Sequence, residues 1–451
     1  MSNAANLQRV DIPHKMPSRT RSIISSTVLF GALSVSPKAL SLLKDVAVAA
    51  SFGASQSLDI YLMAFVLIGV PVSVIVVALQ TTLIPSLVAK DSGPAAILLG
   101  SMVQFSFMAL LVALPIWLLL LPFAFEIFYA NQSETGSHSI LLSACFFLIP
   151  YYFINGTNLL FYGALQARKV FWPNALFPGL FPLAILTSVW FMPDADIHSL
   201  LFGTIAGSIL EGIALIGILR HRKMLCFKRI AGSDLRPVVK LALPLIAGGI
   251  IASFSPVIEQ LIAFHVGPGS VSLLSFGNKV PGAINSLLLT AIGIVILPHF
   301  SELVSKQEWC ESRKLHLKLS FIVWICGAVV ATVGIMFSET IIKFMFERGA
   351  FTTQDTQKTS EVMQIYLMQL PFMLTAMVSI RALVAMGKTL TMTWVTSAQL
   401  ILAASLSYVL SGTYNVPGIA AGTTVATICG AFVLTLMTWY RFEKQSRNLS
   451  T

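Results

Sequence analysis

The side chains best placed to do chemistry in this sequence are ionisable groups inside apolar stretches: Lys38, Lys44, Asp45, Asp59, Glu211, Glu259, Lys279 and Arg381. Each costs roughly a few kcal/mol to hold at membrane depth, so such groups face a bundle interior or water and mark candidate sites. Three of them fall in SVSPKALSLLKDVAVAASFG, residues 34–53. Lys38 and Asp45 are seven positions apart, two helical turns, and share a face of a continuous helix, while Lys44 points elsewhere. Pro37 is expected to kink or open the helix locally. Lys38 and Lys279 lie deep in their apolar segments; Asp45, Asp59 and Glu259 lie toward the outer ends. Deep cations suit an anionic ligand such as a phosphate or pyrophosphate, which lysine binds as a compact point charge.

Several of these residues also have plainer readings. Lys44 and Asp59 fit snorkelling at an interface or an ion pair between the first two spans as well as they fit a site. Glu259 reads either as a coupling-cation site or as the partner of Lys279. Glu211 and Arg381, nearer the inner face, read as a structural pair. The seven histidines show no ligand spacing, and the five cysteines (Cys145, Cys226, Cys310, Cys326 and Cys429) show no CxxC or paired pattern. Neither a metal site nor a disulfide framework is expected, and no cofactor is implied. Short outer loops without paired carboxylates and histidine argue against a membrane polymerase or ligase, so no enzymatic activity is expected.

The elements that must position these residues are membrane spans. Of 451 residues, 56% are hydrophobic and 11% charged, against about a quarter charged in a soluble domain. Twelve segments approach the length of about 20 mainly apolar residues that a span needs: 22–51, 58–87, 95–121, 138–165, 173–193, 197–219, 237–265, 271–300, 315–343, 359–387, 391–411 and 416–440. The net charge of +10 is distributed by side. The N-terminal tail, Lys90, Arg168, Lys169, the run from Arg220 to Lys240, Lys306 and the C-terminal tail share one side; only Lys343, Arg348 and Lys358 oppose them. The positive-inside rule then places both termini in the cytoplasm. This distribution accounts for the basic balance without a nucleic-acid partner.

The halves repeat at an offset of about 213–219 residues: TLIPSL (82–87) answers ILPHFS (296–301), YGALQARK (162–169) answers IRALVAMG (380–387), and LFGT (201–204) answers AAGT (420–423). Six spans per half gives parallel repeats with a cavity between them. Under this symmetry Asp45 falls on Glu259. The expected architecture is an all-α polytopic membrane protein of about 12 transmembrane helices in two pseudo-symmetric six-helix lobes around a central cavity. Its parts are a cytoplasmic tail (1–21), an N-lobe (22–219), a basic linker (220–240), a C-lobe (241–440) and a second tail (441–451). The polar segment FERGAFTTQDT (346–356) is a candidate piece of an outer gate.

LLKDVAVAASFGASQSLDIYLMAFVL (42–67), GPGSVSLLSFGNKVPGAINSLLLTAIGIVILPHFSEL (267–303), FERGAFT (346–352) and IRALVAMGKTLTMTW (380–394) resemble, in order, the motifs of the lipid II flippase family of the multidrug/oligosaccharidyl-lipid/polysaccharide exporters. The resemblance covers most of the chain. It implies two six-helix lobes around a cavity and places the family's first-span arginines on Lys38 and Lys44, its second-span acid on Asp59 and its eighth-span arginine on Lys279. It departs at Val72 and Val77, where the family has arginine and glutamate, and at two further spans that many members carry.

The expected function is therefore a monomeric, multi-pass flippase of the bacterial inner membrane. It would move a polyprenyl-pyrophosphate-linked saccharide, the peptidoglycan precursor lipid II or a relative, by alternating access. Lys38, Lys44 and Lys279 would bind phosphates; Asp45, Asp59 and Glu259 would bind a coupling ion or pair with the lysines; membrane potential, Na+ or H+ would drive the cycle. The alternatives are an exopolysaccharide or O-antigen unit exporter, a cation-coupled multidrug exporter and a non-transporting scaffold.

Overall fold

The computed structural model describes residues 35–129, 135–192, 196–227 and 232–448. The tail at 1–21, the start of the first predicted span, Glu134, Asp194, Lys228 and Arg229 lie outside the described residues. The architecture is all-helical among the described residues. In chain order the helices are α1 (Val35–Phe52), α2 (Gln56–Val88), α3 (Ser92–Tyr129), α4 (Thr135–Phe147 and Ile149–Ala167, bent by 44° at the break), α5 (Trp172–Phe191) and α6 (Ile197–His221). They continue as α7 (Gly232–Val266), α8 (Ser270–Ser305), α9 (Trp309–Met336), the short α10 (Ser338–Phe346) and α11 (Thr353–Ala385). A final 60-residue helical run, Thr389–Asn448, is broken at Asn415 (φ 53°, ψ −132°) into α12 (389–414) and α13 (416–448).

Helices are the natural outcome for segments this apolar, because a helix satisfies every backbone group internally where lipid offers no partner. Among the described residues, eight helices are long and apolar enough to cross a membrane, or nine if the bent pair of α4 counts as one. That is fewer than the twelve expected. α1 is described only from Val35, and α12 and α13 run together across Asn415. These two return antiparallel, packed so closely that a Cβ on Gly422 would lie 2.3 Å from Ser407 N; small residues permit such contact between membrane helices. Pro37 would interrupt the bond to the carbonyl of Leu33; that residue lies outside the described residues, and the expected kink lies there with it.

Within the N-lobe α6 packs on α4 and α5, α1 on α5, and α2 on α4; within the C-lobe α11 packs on α8, α9, α12 and α13, and α7 on the final pair. The lobes meet mainly where α7 crosses α2 and α3, with α8 against α2 at one end. The crossing is shaped by Pro71. Proline has no N–H to give to Leu67 O, and the next five residues, Val72–Val76, form a π-helical turn, a common response to an interrupted ladder. The freed Leu67 carbonyl accepts instead from Trp117 Nε1 of α3, at 2.9 Å. Trp117 in turn meets Phe254 of α7 edge-on, and Ser73 in the π-turn donates to Ser253 of α7 at 2.9 Å. A backbone defect in the N-lobe is thereby where the C-lobe docks.

Candidate functional site

Two residues of α1 and one of α8 form the charged centre of the lobe seam. Asp45 is buried at 7% exposure. Its Oδ1 lies 2.8 Å from Lys44 Nζ and its Oδ2 lies 2.9 Å from Lys279 Nζ. One carboxylate therefore joins two ammonium groups, one from each lobe, and the trio keeps one net positive charge. Lys44 was expected to point away from Asp45; its flexible four-carbon stem instead curls back to its neighbour. Lys38, on the same face as Asp45 by its spacing, is exposed and makes no ion pair among the described residues. Seven residues of helix rise about 10 Å, so the shared face does not bring Lys38 within reach of Asp45.

Glu259 of α7 is not the partner of Lys279. Its carboxylate accepts from the Tyr366 hydroxyl of α11 and from Thr423 Oγ1 of α13 at 3.1 Å. A cavity of about 240 Å³ nevertheless brings Glu259 and Lys279 onto common walls, together with Gln260, Ser275, Asn278 and Tyr366. Sequence reasoning missed Tyr366 and Thr423. One signal pointed to Thr423: it ends the AAGT match to LFGT, and the corresponding Thr204 bonds Tyr61 of α2 at 2.8 Å.

Asp59 forms no ion pair either. It is buried at 1% exposure, and its Oδ1 accepts from the backbone N–H of Ser272 at 2.7 Å. Ser272 is the third residue of α8, whose N-cap, Gly269, has φ 85°. A carboxylate of the N-lobe thus caps a C-lobe helix, where free N–H groups and the helix dipole favour negative charge. Next to it the FERGAFT segment docks on the end of α1, with Ala350 N donating to Ala50 O at 2.7 Å. Gly349 (φ 58°) and Gly269 bring main chain onto main chain: a Cβ there would lie 2.2 Å from Ala50 O or 2.7 Å from Ala54 O. The seam is closed at this end.

Glu211 and Arg381 do not meet. Glu211 of α6 accepts from the Tyr162 hydroxyl of α4, within the N-lobe. Arg381 belongs to α11 in the other lobe, and its Nε has no hydrogen-bond partner. Their common depth suggested a pair, but the lobes hold them apart. Among the described residues no group of three or more His, Cys, Asp or Glu is arranged to hold a metal ion, and all five cysteines are free.

Two helical lobes share a cationic centre across their seam, which is closed at the end where α8 begins. Two solved structures share the fold. One is lipid II flippase MurJ in an inward closed conformation, 22% identical, with a TM-score of 0.74 over 93% of this chain and 90% of that one. The other is an inward-facing multidrug resistance MATE family transporter of the MOP superfamily, 12% identical, with a TM-score of 0.75 over 90% of this chain and 95% of that one. The family model for lipid II flippase MurJ matches residues 48–450, and the chain belongs to that family. A relative named "Probable lipid II flippase MurJ" from Bdellovibrio bacteriovorus is 26% identical over 306 residues, 65% of this chain. That alignment spans little more than half of the relative, 56% of its length.

Proposed function

We propose that this protein translocates a polyprenyl-pyrophosphate-linked saccharide, lipid II or a related unit, from the cytoplasmic to the outer leaflet of a bacterial inner membrane. The observation that carries the reading is the Lys44–Asp45–Lys279 bridge between the lobes. In the empty protein Asp45 neutralises part of the lysine charge and ties α1 to α8. A pyrophosphate entering from the basic side, past exposed Lys38, competes with Asp45 for both ammonium groups. It makes contacts that depend on how the lobes are disposed, and a ligand shifts a conformational equilibrium only through such differential contacts. Glu259, on the same cavity as Lys279, is the residue best placed to answer a coupling cation, whether Na+ or H+. The protein works as a transporter, with the bilayer and the lipid-linked substrate as its partners and a monomer as its working unit.

A multidrug exporter shares the fold almost equally well, but a site with excess lysine repels the cationic drugs such an exporter would carry. The substitution of compact ammonium groups for guanidinium forks, with Val72 and Val77 where relatives carry charge, favours as a second reading a lipid-linked exopolysaccharide or O-antigen unit.

Complementation of a strain depleted of its lipid II flippase tests the proposal. Wild type is expected to restore growth, Lys279→Arg to retain rescue, and Lys44→Ala and Lys279→Ala to lose it at equal membrane abundance. Rescue by both alanine variants would overturn the phosphate site, and failure of the wild type would move the substrate to another lipid-linked saccharide.

A further inference from the structure

On the basic face of the N-lobe, a cavity of about 260 Å³ lies beneath the segment that leaves α6. Arg168 and Arg222 both line it, with Ser92 at the start of α3 and apolar walls from Leu99, Val170 and Met224. None of the residues of the lobe-seam site takes part.

The two arginines arrive by the same local device. The chain reads Arg168-Lys169-Val170 after α4 and Arg222-Lys223-Met224 after α6. In each case the lysine is left-handed, with φ 59° and 54°. The following N–H reaches back five residues, Val170 to Leu165 O at 2.9 Å and Met224 to Leu219 O at 2.8 Å. This closure usually falls to glycine, because a side chain strains it. It turns the chain sharply at both helix ends and brings the two arginines to one cavity.

The plain account of a basic residue at a helix C-terminus is that it serves the last carbonyls and the dipole. Neither arginine does so here. Arg168 gives Nη2 to Lys90 O, in the turn between α2 and α3, at 3.0 Å. Among the described residues, the Arg222 side chain has no hydrogen-bond or ion-pair partner. The nearby carboxylates do not balance them: Asp91, beside Ser92, is exposed and forms no ion pair with either, and Glu211 is buried against Tyr162. Lys169 and Lys223 follow the two arginines directly in the chain, and Lys90 lies two residues before Ser92, adding positive charge to the same segments. Two guanidinium groups on one cavity repel unless an anion lies between them, and their planar forks match phosphate oxygens.

We propose that this cavity binds a phosphate group, bridged by Arg168 and Arg222, supplied by an anionic phospholipid headgroup at the membrane face or by free phosphate. Basic pockets between spans on the inner side suit lipid headgroups. The consequence concerns the connection between the lobes. Arg222 opens that connection, and Cys226, four residues on, is already tied to α3 through its N–H to Ala96 O at 3.1 Å. A bound phosphate holds the first residues of that connection to the N-lobe.

Thermal unfolding of the detergent-purified full-length protein, at constant ionic strength, tests this with phosphatidylglycerol, phosphatidylcholine and inorganic phosphate titrated separately. Phosphatidylglycerol is expected to raise Tm saturably, and phosphatidylcholine much less. Arg222→Ala and Arg222→Gln break no hydrogen bond or ion pair among the described residues, so their starting Tm should match wild type while the saturation midpoint weakens at least tenfold. Arg168→Ala should weaken it similarly. A saturable, Arg222-dependent response to inorganic phosphate alone would assign the site to the soluble ion. No Tm response to any of them, or the same midpoint in wild type and both Arg222 variants, would overturn the proposal.

Discussion

A carboxylate held between two ammonium groups is a balanced charge only while all three are present. Removing Asp45 as Asp45→Asn leaves Lys44 and Lys279 facing one another across the seam. Breaking a fully buried pair costs about 3–5 kcal/mol; the lysines here reach the cavity, with side chains 18% and 34% exposed, so a loss of about 2 kcal/mol is expected after screening. Chemical denaturation would measure it, and the double variant Asp45→Asn/Lys279→Met should recover part of the loss. These three residues were legible in the sequence because charge is rare in an apolar chain and each instance demands a reason. The partners of Glu259 were not, since Tyr366 and Thr423 are neutral and resemble many other tyrosines and threonines in the spans. Lys38 stays apart from the pair that Asp45 makes, because helical spacing reports direction around an axis and says nothing of the distance along it.

At the scale of the element, α2 tolerates Pro71 because a neighbour supplies the missing donor. Trp117→Phe keeps the ring and deletes the indole N–H, leaving Leu67 O unsatisfied, which costs about 1–3 kcal/mol; a loss below a few tenths would contradict this account of the π-turn. The proline was visible in the sequence, but the tryptophan lies 46 positions further along the chain and no local pattern joins them. Helix α6 starts at a simpler device. Asp196 is its N-cap and accepts from His198 N at 3.3 Å, and a hydrogen bond with the His198 ring, the largest influence, holds the Asp196 carboxyl below its usual range. A lowered folded value means the stabilisation is complete above the ordinary carboxylate range, near pH 4, and is lost as pH falls through the lowered one. Hydrogen exchange in the first turn of α6 should accelerate on acidification below about pH 4; Asp196→Ala should exchange fast throughout and remove that pH dependence.

For the whole molecule, two lobes were readable from the repeats, but the closure of their seam where α8 begins was not. It depends on where Gly269 and Gly349 meet Ala54 and Ala50, contacts between residues more than 200 positions apart. Gly349→Ala should force this end open, since the Cβ has no room and the backbone no tolerance for it. A cysteine introduced at Ala54 in a cysteine-free background should then react faster with a membrane-impermeant thiol reagent, at least severalfold; unchanged labelling would mean the seam yields without parting.

That seam joins main chain to main chain and one carboxylate to a helix end, and buried apolar side chains of both lobes surround it: Phe52 and Leu58 of the N-lobe and Phe276, Phe346 and Phe351 of the C-lobe belong to one apolar cluster. Parting the seam uncovers apolar area, so its opening should carry a positive heat-capacity change. The balance between closed and open then shifts with temperature. The thermometer, and not the ligand alone, should move the population of states.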